Sequence, residues 1–451
     1  MGIRKKRALL LREFSPDPGK RSTSVFGNKT MKTTTGGLAA SSGFKSAGAY
    51  SGIKRKRNDI ALIVSDRDAV AAGVFTQNVV RASCVTGNLA LLPSTTMRAI
   101  VVNSGNANAC NGDAGDRDNE RMAEIAADEL GIQRNQVFTA STGIIGAALP
   151  LEKVEAGIKT AVTKLDDENS DAAAEGIMTT DTFPKQFAVE FFLGGVPVHI
   201  GAIAKGSGMI APNMATMLCF VTTDAAIDQA VLQQMLTRCV WYSFNSITVD
   251  GDTSTNDMVL VLANGAAGNK PIQGLETQDA AVFEEALYNV CLHLAKEVVR
   301  DGEGATKLVS VTVKNVLPPK NLVDAYANTG VDLTPEQRAS FARSVAKTIA
   351  NSPLVKTALF GNDPNWGRIL AAAGRSGVHF DQSAIEISLA GQMVYTNGKP
   401  TDFDHDKLSA AMKGNELAIT VDLHQQGGEQ ATVWTCDFSY EYVKINAEYH
   451  T

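Results

Sequence analysis

The stretch FAVEFFLGGVPVHIGAI, residues 187–203, is the strongest indication of architecture in this chain. Its two apolar runs are separated by Gly194-Gly195, a pair typical of a tight turn, so the stretch predicts a β-hairpin. The hairpin runs into Lys205-Gly-Ser-Gly-Met-Ile-Ala-Pro-Asn-Met-Ala-Thr-Met-Leu-Cys-Phe220. Because Gly and Pro interrupt this second segment, we interpret it as a loop.

Outside the hairpin, short apolar runs alternate with amphipathic segments. The segment 119–130 repeats apolar residues at helical spacing and stops before Gly131, as a helix with a glycine C-cap does. The same reasoning predicts helices at residues 150–164, 227–240, 277–299 and 334–350. Short apolar runs with β-branched residues predict buried strands at residues 60–64 and 99–102. Strands are also predicted at residues 309–313, 385–389, 418–423 and 431–438. This order favours an α/β protein with sheets covered by helices.

Thr216 follows small residues within the loop and is a candidate nucleophile. Threonine is a weak nucleophile at neutral pH and needs a base within hydrogen-bond reach. A free α-amine on the same residue is such a base, since it titrates at about pH 7.7–8.0. An internal threonine has no α-amine, so the Ala215–Thr216 bond would have to break first. The alternative is an ordinary turn, which Gly and Pro mark wherever they occur.

Five segments together resemble the ornithine acetyltransferases, also called glutamate N-acetyltransferases. The loop around Thr216 is similar to the cleavage segment of that family, and four other motifs occur in the family's order. These are Ser141-Thr-Gly-Ile-Ile-Gly146, Met178-Thr-Thr-Asp-Thr-Phe-Pro-Lys185, Asp301-Gly-Glu-Gly-Ala-Thr-Lys307 and Asn446-Ala-Glu-Tyr-His-Thr451. The resemblance extends from about residue 43 to the end of the chain.

The resemblance implies an α/β (α+β) fold, a layered sandwich of helix, sheet, sheet and helix around an N-terminal nucleophile, with a smaller C-terminal α/β domain. Self-cleavage would give an alpha chain, residues 43–215, and a beta chain, residues 216–451. A flexible basic extension, residues 1–42, would precede them. Two alpha and two beta chains would form the assembly.

The resemblance also implies roles for individual residues. Thr216 would be the nucleophile, while the hydroxyl of Thr142 and the backbone N–H of Gly143 would stabilise the oxyanion. A cation for a carboxylate and an anion for an ammonium group suit an amino-acid substrate. The implied substrate-binding residues are Thr182, Lys205, Thr216, Glu303, Asn446 and Thr451. Thr179 and Thr180 lie close to Thr182, so the sequence leaves open which threonine contacts substrate.

The implied reaction moves the acetyl group of N-acetylornithine to Thr216 and then to glutamate, giving ornithine and N-acetylglutamate in arginine biosynthesis. No resident cofactor is expected, although some members of the family also use acetyl-CoA to acetylate glutamate. Two alternatives stay open. One is an N-terminal-nucleophile aminopeptidase or amidase, in which water is the acceptor. The other is a non-catalytic amino-acid-binding relative.

Composition and motif content argue against three other classes of function. The 451 residues are 44% hydrophobic and 20% charged, as is ordinary for a globular protein, and a net charge of −6 argues against nucleic acid as a partner. No apolar run approaches the roughly 20 residues that span a bilayer, so no membrane role is expected. The six cysteines contain no C-x-x-C pair and the histidines no H-E-x-x-H, so we predict no metal site.

Two further segments are interpreted as structural or solvent-exposed. Residues 250–257 resemble a calcium-binding loop but lack glycine at the sixth position and glutamate at the twelfth. The first 45 residues contain ten Lys or Arg against Glu13 and Asp17, which is typical of a disordered tail or a targeting sequence. We favour a tail and a cytoplasmic location. The alternative is a transit peptide for the mitochondrial matrix or the plastid stroma.

Overall fold

The structure is a computed structural model. It describes residues 31–168, 170–211, 217–327 and 332–448. The strands within these ranges are β1 (Lys32–Thr34), β2 (Phe44–Ala49), β3 (Ile60–Phe75), β4 (Ser94–Asn106), β5 (Val137–Ile144), β6 (Lys185–Leu193), β7 (Val196–Lys205), β8 (Leu218–Thr223), β9 (Met258–Ala263), β10 (Leu308–Val316), β11 (Glu386–Leu389), β12 (Gln392–Thr396), β13 (Lys399–Pro400), β14 (Glu416–Asp422) and β15 (Glu429–Cys436).

The α-helices within the same ranges are α1 (Ser83–Leu91), α2 (Gly112–Leu130), α3 (Leu151–Val162), α4 (Asp171–Gly176), α5 (Gln229–Tyr242), α6 (Gln278–Arg300), α7 (Lys320–Ala327), α8 (Pro335–Ala350), α9 (Pro353–Phe360), α10 (Trp366–Gly374), α11 (His405–Ala411) and α12 (Tyr440–Glu448). Short 3-10 helices occupy Gly37–Ala40, Arg134–Gln136 and Phe244–Ser246. None of the described helices is both long and apolar enough to cross a membrane.

A nine-stranded sheet forms both inner layers of a four-layered sandwich. Its order is β1-β6-β7-β8-β9-β3-β4-β5, with β2 also paired to β3. The long strand β3 joins the two layers, because its first half pairs with β2 and β4 and its second half with β9. The register against β4 shifts between Val64 and Ala71, where these partners change. The expected two sheets are therefore two halves of one continuous sheet.

Three hydrophobic cores separate the four layers. The central core joins Ile100 and Phe138 from one half of the sheet to Phe220 and Leu260 from the other. Helices α5 and α6 cover the outer face of the β6–β9 half, and helices α2 and α3 cover the outer face of the β2–β5 half. Because both faces of β8 are covered, all six of its residues are buried.

A second sheet and its own core form the smaller C-terminal domain. The strand order is β13-β12-β11-β14-β10-β15, in which β10 and β14 are parallel and the other pairs are antiparallel. Helices α8, α10 and α11 contribute to the core of this domain. The helix–sheet–sheet–helix sandwich with a smaller C-terminal α/β domain is thus confirmed.

Most predicted elements are present, with different boundaries. The hairpin at residues 187–203 is β6–β7, paired from Lys185 to Ala204. The helix predicted at residues 119–130 begins at Gly112, because its first turns are mostly polar and hide the apolar period. Gly131 caps this helix with φ of 67°, as predicted. The sequence does not predict seven short helices, α1, α4, α7, α9, α10, α11 and α12.

The predicted flexible extension, residues 1–42, extends too far toward the C-terminus. Strand β1 pairs with β6, matching Lys32 with Glu190, and the side chain of Leu38 is fully buried. Ser41 Oγ donates to the carbonyl oxygen of Thr222 at 3.0 Å. Backbone pairing of this kind leaves little trace in composition, which is why a polar segment was interpreted as a tail. Residues 1–30 lie outside the described ranges.

Candidate active site

Two aspartates of the segment 250–257 bind the backbone on either side of positions 212–216. Asp250 accepts the backbone N–H groups of Met209 at 2.6 Å and Ile210 at 2.8 Å, which fixes the end that leaves β7. At the other end, the N–H of Met217 donates to the carboxylate of Asp257. Of the predicted site residues, Ala215, Thr216 and Thr451 lie outside the described ranges, so their roles stay predictions.

Lys205 connects two of the predicted motifs. It is the last residue of β7, is only 8% exposed, and donates from Nζ to Thr179 Oγ1 at 2.8 Å and to Thr142 Oγ1 at 3.3 Å. Burial lowers the pKa of Lys205, and the nearby carboxylate of Asp181 opposes that shift. The predicted oxyanion turn and the segment 178–185 therefore meet at one buried amine.

Gly143 occupies a position that only glycine fits. Its φ is 135°, and a Cβ there would come within 2.3 Å of the carbonyl carbon of Gly105 and 2.5 Å of the backbone nitrogen of Asn106. The predicted oxyanion turn is the end of strand β5, paired with β4. A side chain also holds it, because Asn256 donates from Nδ2 to the carbonyl oxygen of Ser141 at 2.8 Å. The backbone next to Thr142 is thus fixed by close packing and by a buried amide.

A buried ion-pair network of Lys185, Asp181 and Asp301 lies close to Lys205. Lys185, fully buried, donates from Nζ to Asp181 Oδ1 at 2.7 Å and to Asp301 Oδ2 at 2.5 Å. The other contacts of Asp181 are the N–H groups of Gly206 at 2.7 Å and Thr179 at 2.9 Å. Burial opposes ionisation of Asp181, but the two lysines outweigh it and hold the pKa of that carboxyl well below its usual range. The carboxylate is therefore charged and fully bound.

The three neighbouring threonines have different environments. Thr179 binds Lys205, whereas both the N–H and the hydroxyl of Thr182 donate to Asp301. Thr179, Thr180 and Thr182 all line a cavity of about 410 Å³. Thr182 lines the cavity, and its hydroxyl donates to Asp301, so its contact with substrate stays a prediction.

Glu303 and Asn446 form a separate acidic group. Glu303 is 8% exposed, and Asn446 donates to it from Nδ2 to Oε2 at 2.7 Å. The N–H of Glu303 donates to the carbonyl oxygen of Ser207 at 3.0 Å. A Cβ on Gly208 would come within 2.4 Å of the Glu303 carboxylate, so the carboxylate packs directly against that backbone. The segment 205–208 thus joins the lysine side of the site to the acidic side.

Sequence reasoning missed Asp257, which it treated as part of a rejected calcium loop. Its carboxyl is buried, and Oδ2 has no hydrogen-bond partner among the described residues. Burial raises the pKa of Asp257 well above its ordinary value, and the positive charge of Lys205 opposes that shift. The only signal in the sequence is an acidic residue directly before the apolar run that forms strand β9. Among the described residues, no group of three or more His, Cys, Asp or Glu could hold a metal ion.

These features define the class of protein: an α/β enzyme with a buried, charged site on a helix–sheet–sheet–helix sandwich. The chain belongs to the ArgJ family, whose model matches residues 45–323 and 324–451. The resemblance deduced from five motifs is therefore confirmed. Its predicted start near residue 43 is close to the start of the family model, but the relatives cover 93% of the chain and so also match residues before position 43.

Individual relatives match almost the whole chain. The arginine biosynthesis bifunctional protein ArgJ of Symbiobacterium thermophilum is 47% identical over 424 residues, which cover 93% of this chain and 100% of that protein. The protein of the same name from Listeria monocytogenes is 45% identical, with the same coverage. Among solved structures, ornithine acetyltransferase from Mycobacterium tuberculosis complexed with ornithine is 39% identical, covers 41% of this chain and 100% of that chain, and has a TM-score of 0.39.

Proposed function

We propose that this enzyme transfers the acetyl group of N-acetylornithine to glutamate through an acetyl ester on Thr216. The single observation that carries the proposal is the buried Lys205, whose Nζ binds both Thr142 and Thr179 at the start of the Thr216 loop. Membership of the ArgJ family supports the same activity. Acetyl-CoA is a second acetyl donor to be tested, and no resident cofactor enters the mechanism.

Maturation comes first. Thr216 Oγ attacks the carbonyl carbon of Ala215, and the C–N bond breaks as the acyl group moves from nitrogen to oxygen. Water then hydrolyses this ester, leaving a carboxylate on Ala215 and a free α-amine on Thr216. Asp250 and Asp257 contribute by fixing residues on both sides of the loop.

The mature nucleophile then carries out acyl transfer in two steps. The neutral α-amine takes the hydroxyl proton as Oγ attacks the acetyl carbon, and ornithine leaves with that proton on its amine. The amine of glutamate attacks the resulting ester, and Thr216 Oγ regains a proton. Each tetrahedral intermediate carries an oxyanion, and each donor to it lowers the barrier by about 3–4 kcal/mol.

Lys205 prepares Thr142 for this role. A lysine ammonium has donors and no acceptor, so Thr142 Oγ1 must accept the 3.3 Å hydrogen bond from Nζ. The hydroxyl proton of Thr142 is then free to point at an oxyanion. Gly143 contributes its backbone N–H from a position fixed by β4.

Amino-acid selection follows from the two charged sides of the site. We assign the substrate carboxylate to the lysine side and the substrate ammonium to Glu303, whose orientation Asn446 fixes. Thr182 and Thr451 complete the pocket in this proposal. The enzyme works in the cytoplasm as two alpha and two beta chains, which native mass measurements would test.

An assay of acetyl transfer tests the function. The purified enzyme should release ornithine from N-acetylornithine in proportion to the N-acetylglutamate formed, with ping-pong kinetics, and Thr216→Ala should do neither. Ornithine release that does not depend on glutamate and yields acetate would instead indicate an amidase. Binding of ornithine by an uncut chain without turnover would indicate a non-catalytic relative.

A further inference from the structure

We propose that Lys54, Lys56 and Arg57 form a subsite for the side-chain carboxylate of the acceptor amino acid. This inference rests on the proposed function and concerns its second half-reaction. The three residues belong to the segment 51–58, hereafter the cationic loop, which connects β2 to β3. The sequence motifs described above do not include this loop.

The cationic loop has a defined conformation. The buried carboxylate of Asp59 accepts four backbone N–H groups, those of residues 51 and 52 at 2.7 and 3.0 Å and of residues 53 and 54 at 2.8 and 3.0 Å. Arg57 has φ of 72°, a left-handed conformation that non-glycine residues rarely adopt. The loop is thus wound around a buried anion, and its basic side chains leave from fixed backbone positions.

The cationic loop forms one wall of the 410 Å³ cavity. Lys54, Lys56 and Arg57 line it together with residues 179–182. Two hydrogen bonds tie the walls together: Lys54 Nζ donates to the carbonyl oxygen of Met178 at 2.9 Å, and an Arg57 guanidinium N–H donates to that of Asp181 at 3.1 Å. A cavity of this size suits a small molecule.

The cavity adjoins the reacting centre. Thr179, one of its lining residues, accepts the 2.8 Å hydrogen bond from Lys205, and the same Nζ reaches Thr142. One lysine side chain therefore separates the cavity from the oxyanion turn. Glutamate held at the turn by its attacking amine can place its side-chain carboxylate in the cavity, whereas the side-chain ammonium of N-acetylornithine is assigned to Glu303.

The charge facing the cavity is positive. Asp181 is the one acid among the lining residues, and its carboxylate is already bound by Lys185 and two backbone N–H groups. Two other acids lie near the loop and do not line the cavity: Asp59 accepts the four N–H groups, and Glu175 accepts the N–H of Asn58 at 3.4 Å. Three basic side chains thus face a space in which the one carboxylate of the described lining residues is neutralised.

This charge distinguishes the two amino acids of the reaction. N-acetylornithine ends in an ammonium group, which basic walls disfavour, whereas glutamate ends in a carboxylate, which they favour. Burial lowers the pKa of Lys54 to about 8, so a bound carboxylate would also hold this lysine in its charged form. The phosphates of acetyl-CoA are also anionic and could bind the same cations. The experiment below distinguishes these phosphates from the side-chain carboxylate of glutamate.

The test compares acceptors in the full-length, self-processed enzyme. Arg57→Gln and Lys56→Gln should each lower kcat/KM for glutamate about tenfold, since each removes one charge-assisted contact. For glutamine, which has the same shape without the charge, kcat/KM should change less than about twofold. The single-turnover burst of ornithine that accompanies acetylation of Thr216 without acceptor should also change little. The control is Arg55→Gln, an exposed cation of the same loop that does not line the cavity.

Three results would overturn the inference. One is an equal loss for glutamate and glutamine, which indicates a structural role for the loop. Another is no loss for glutamate at all. The third is a selective loss of acetyl-CoA use with glutamate kinetics intact, which assigns the cations to phosphate. Failure of the proposed function is distinguishable, because the wild-type enzyme itself would then form no N-acetylglutamate from N-acetylornithine.

Discussion

The two sides of the segment 205–208 are built very differently. On the lysine side, Lys205 and Gly206 contact strands and buried ion pairs inside the sandwich. On the acidic side, Glu303 depends on Asn446 from α12, a helix with no buried residue and with Tyr440 84% exposed. One side of the site is therefore buried inside the sandwich, whereas the other is completed by helix α12, which has no buried residue. Mutations should affect stability on the first side and activity alone on the second.

Breaking the ion-pair network under Lys205 should have the largest effect. Lys185→Met leaves Asp181 and Asp301 buried without their shared cation and should lower the free energy of unfolding by about 3–5 kcal/mol. Urea denaturation measures this change. Lys45→Met is the matched control, because it removes an exposed pair with Asp167 and should cost less than about 1 kcal/mol. Equal losses would show that the network is not what stabilises this side.

Removing the oxyanion hydroxyl should affect catalysis without affecting folding. Thr142→Val keeps the shape of the side chain and should reduce kcat about 10²–10³-fold, since the transition state loses one donor. Thr142→Ser should recover most of the activity. Steady-state kinetics of both variants measure the effect. A valine variant with wild-type kcat would remove Thr142 from the mechanism.

The acidic side should respond in activity alone. Asn446→Ala frees one oxygen of Glu303 and should lower kcat/KM about tenfold, because a hydrogen bond to a charged group is lost. The free energy of unfolding should change by less than about 0.5 kcal/mol, since α12 packs so little. Lys444→Ala, an exposed residue of the same helix, is the control. Destabilisation as large as that of Lys185→Met would contradict the difference between the two sides.

The smallest expected effect is a pH dependence of stability caused by Asp257. Its pKa is raised in the folded protein, so the folded state keeps this proton at pH values where the unfolded state has lost it. The contribution of Asp257 to stability is therefore full below about pH 4 and decreases as pH rises toward the folded-state pKa. Asp257→Asn cannot titrate and should flatten that decrease by an amount on the order of 1 kcal/mol. Parallel pH profiles for wild type and variant would show that Asp257 does not titrate in this way.

The sequence predicted much of the sandwich because its strands are buried on one or both faces. Residues 60–64 are entirely apolar, and residues 309–313 alternate Val with Ser and Thr, so each run has at least one face that must be buried. The sequence did not predict segments whose structure does not depend on burying apolar side chains. β1 is held by backbone pairing with β6, and the first turns of α2 are mostly polar.

The site was predicted only where motifs exist. Lys205, Thr142 and Thr179 belong to such motifs, and the structure brings them together. Asp257 and the cationic loop lie outside the five motifs, and their significance comes from side chains that are distant in the chain. Asp257 is significant because the charge of Lys205 acts on its carboxyl, and Arg57 is significant because it lines the cavity together with residues 179–182. Such contacts between distant segments become visible only in three dimensions.

The acetyl ester on Thr216 is the central claim, and the masses of the separated chains test it directly. The purified enzyme would be incubated with N-acetylornithine alone, denatured at low pH and analysed by mass spectrometry. We expect two chains divided between Ala215 and Thr216, with one acetyl group on the chain that begins at Thr216 and its loss when glutamate is added. A single uncut chain, or a cut chain that gains no acetyl group, would contradict the mechanism.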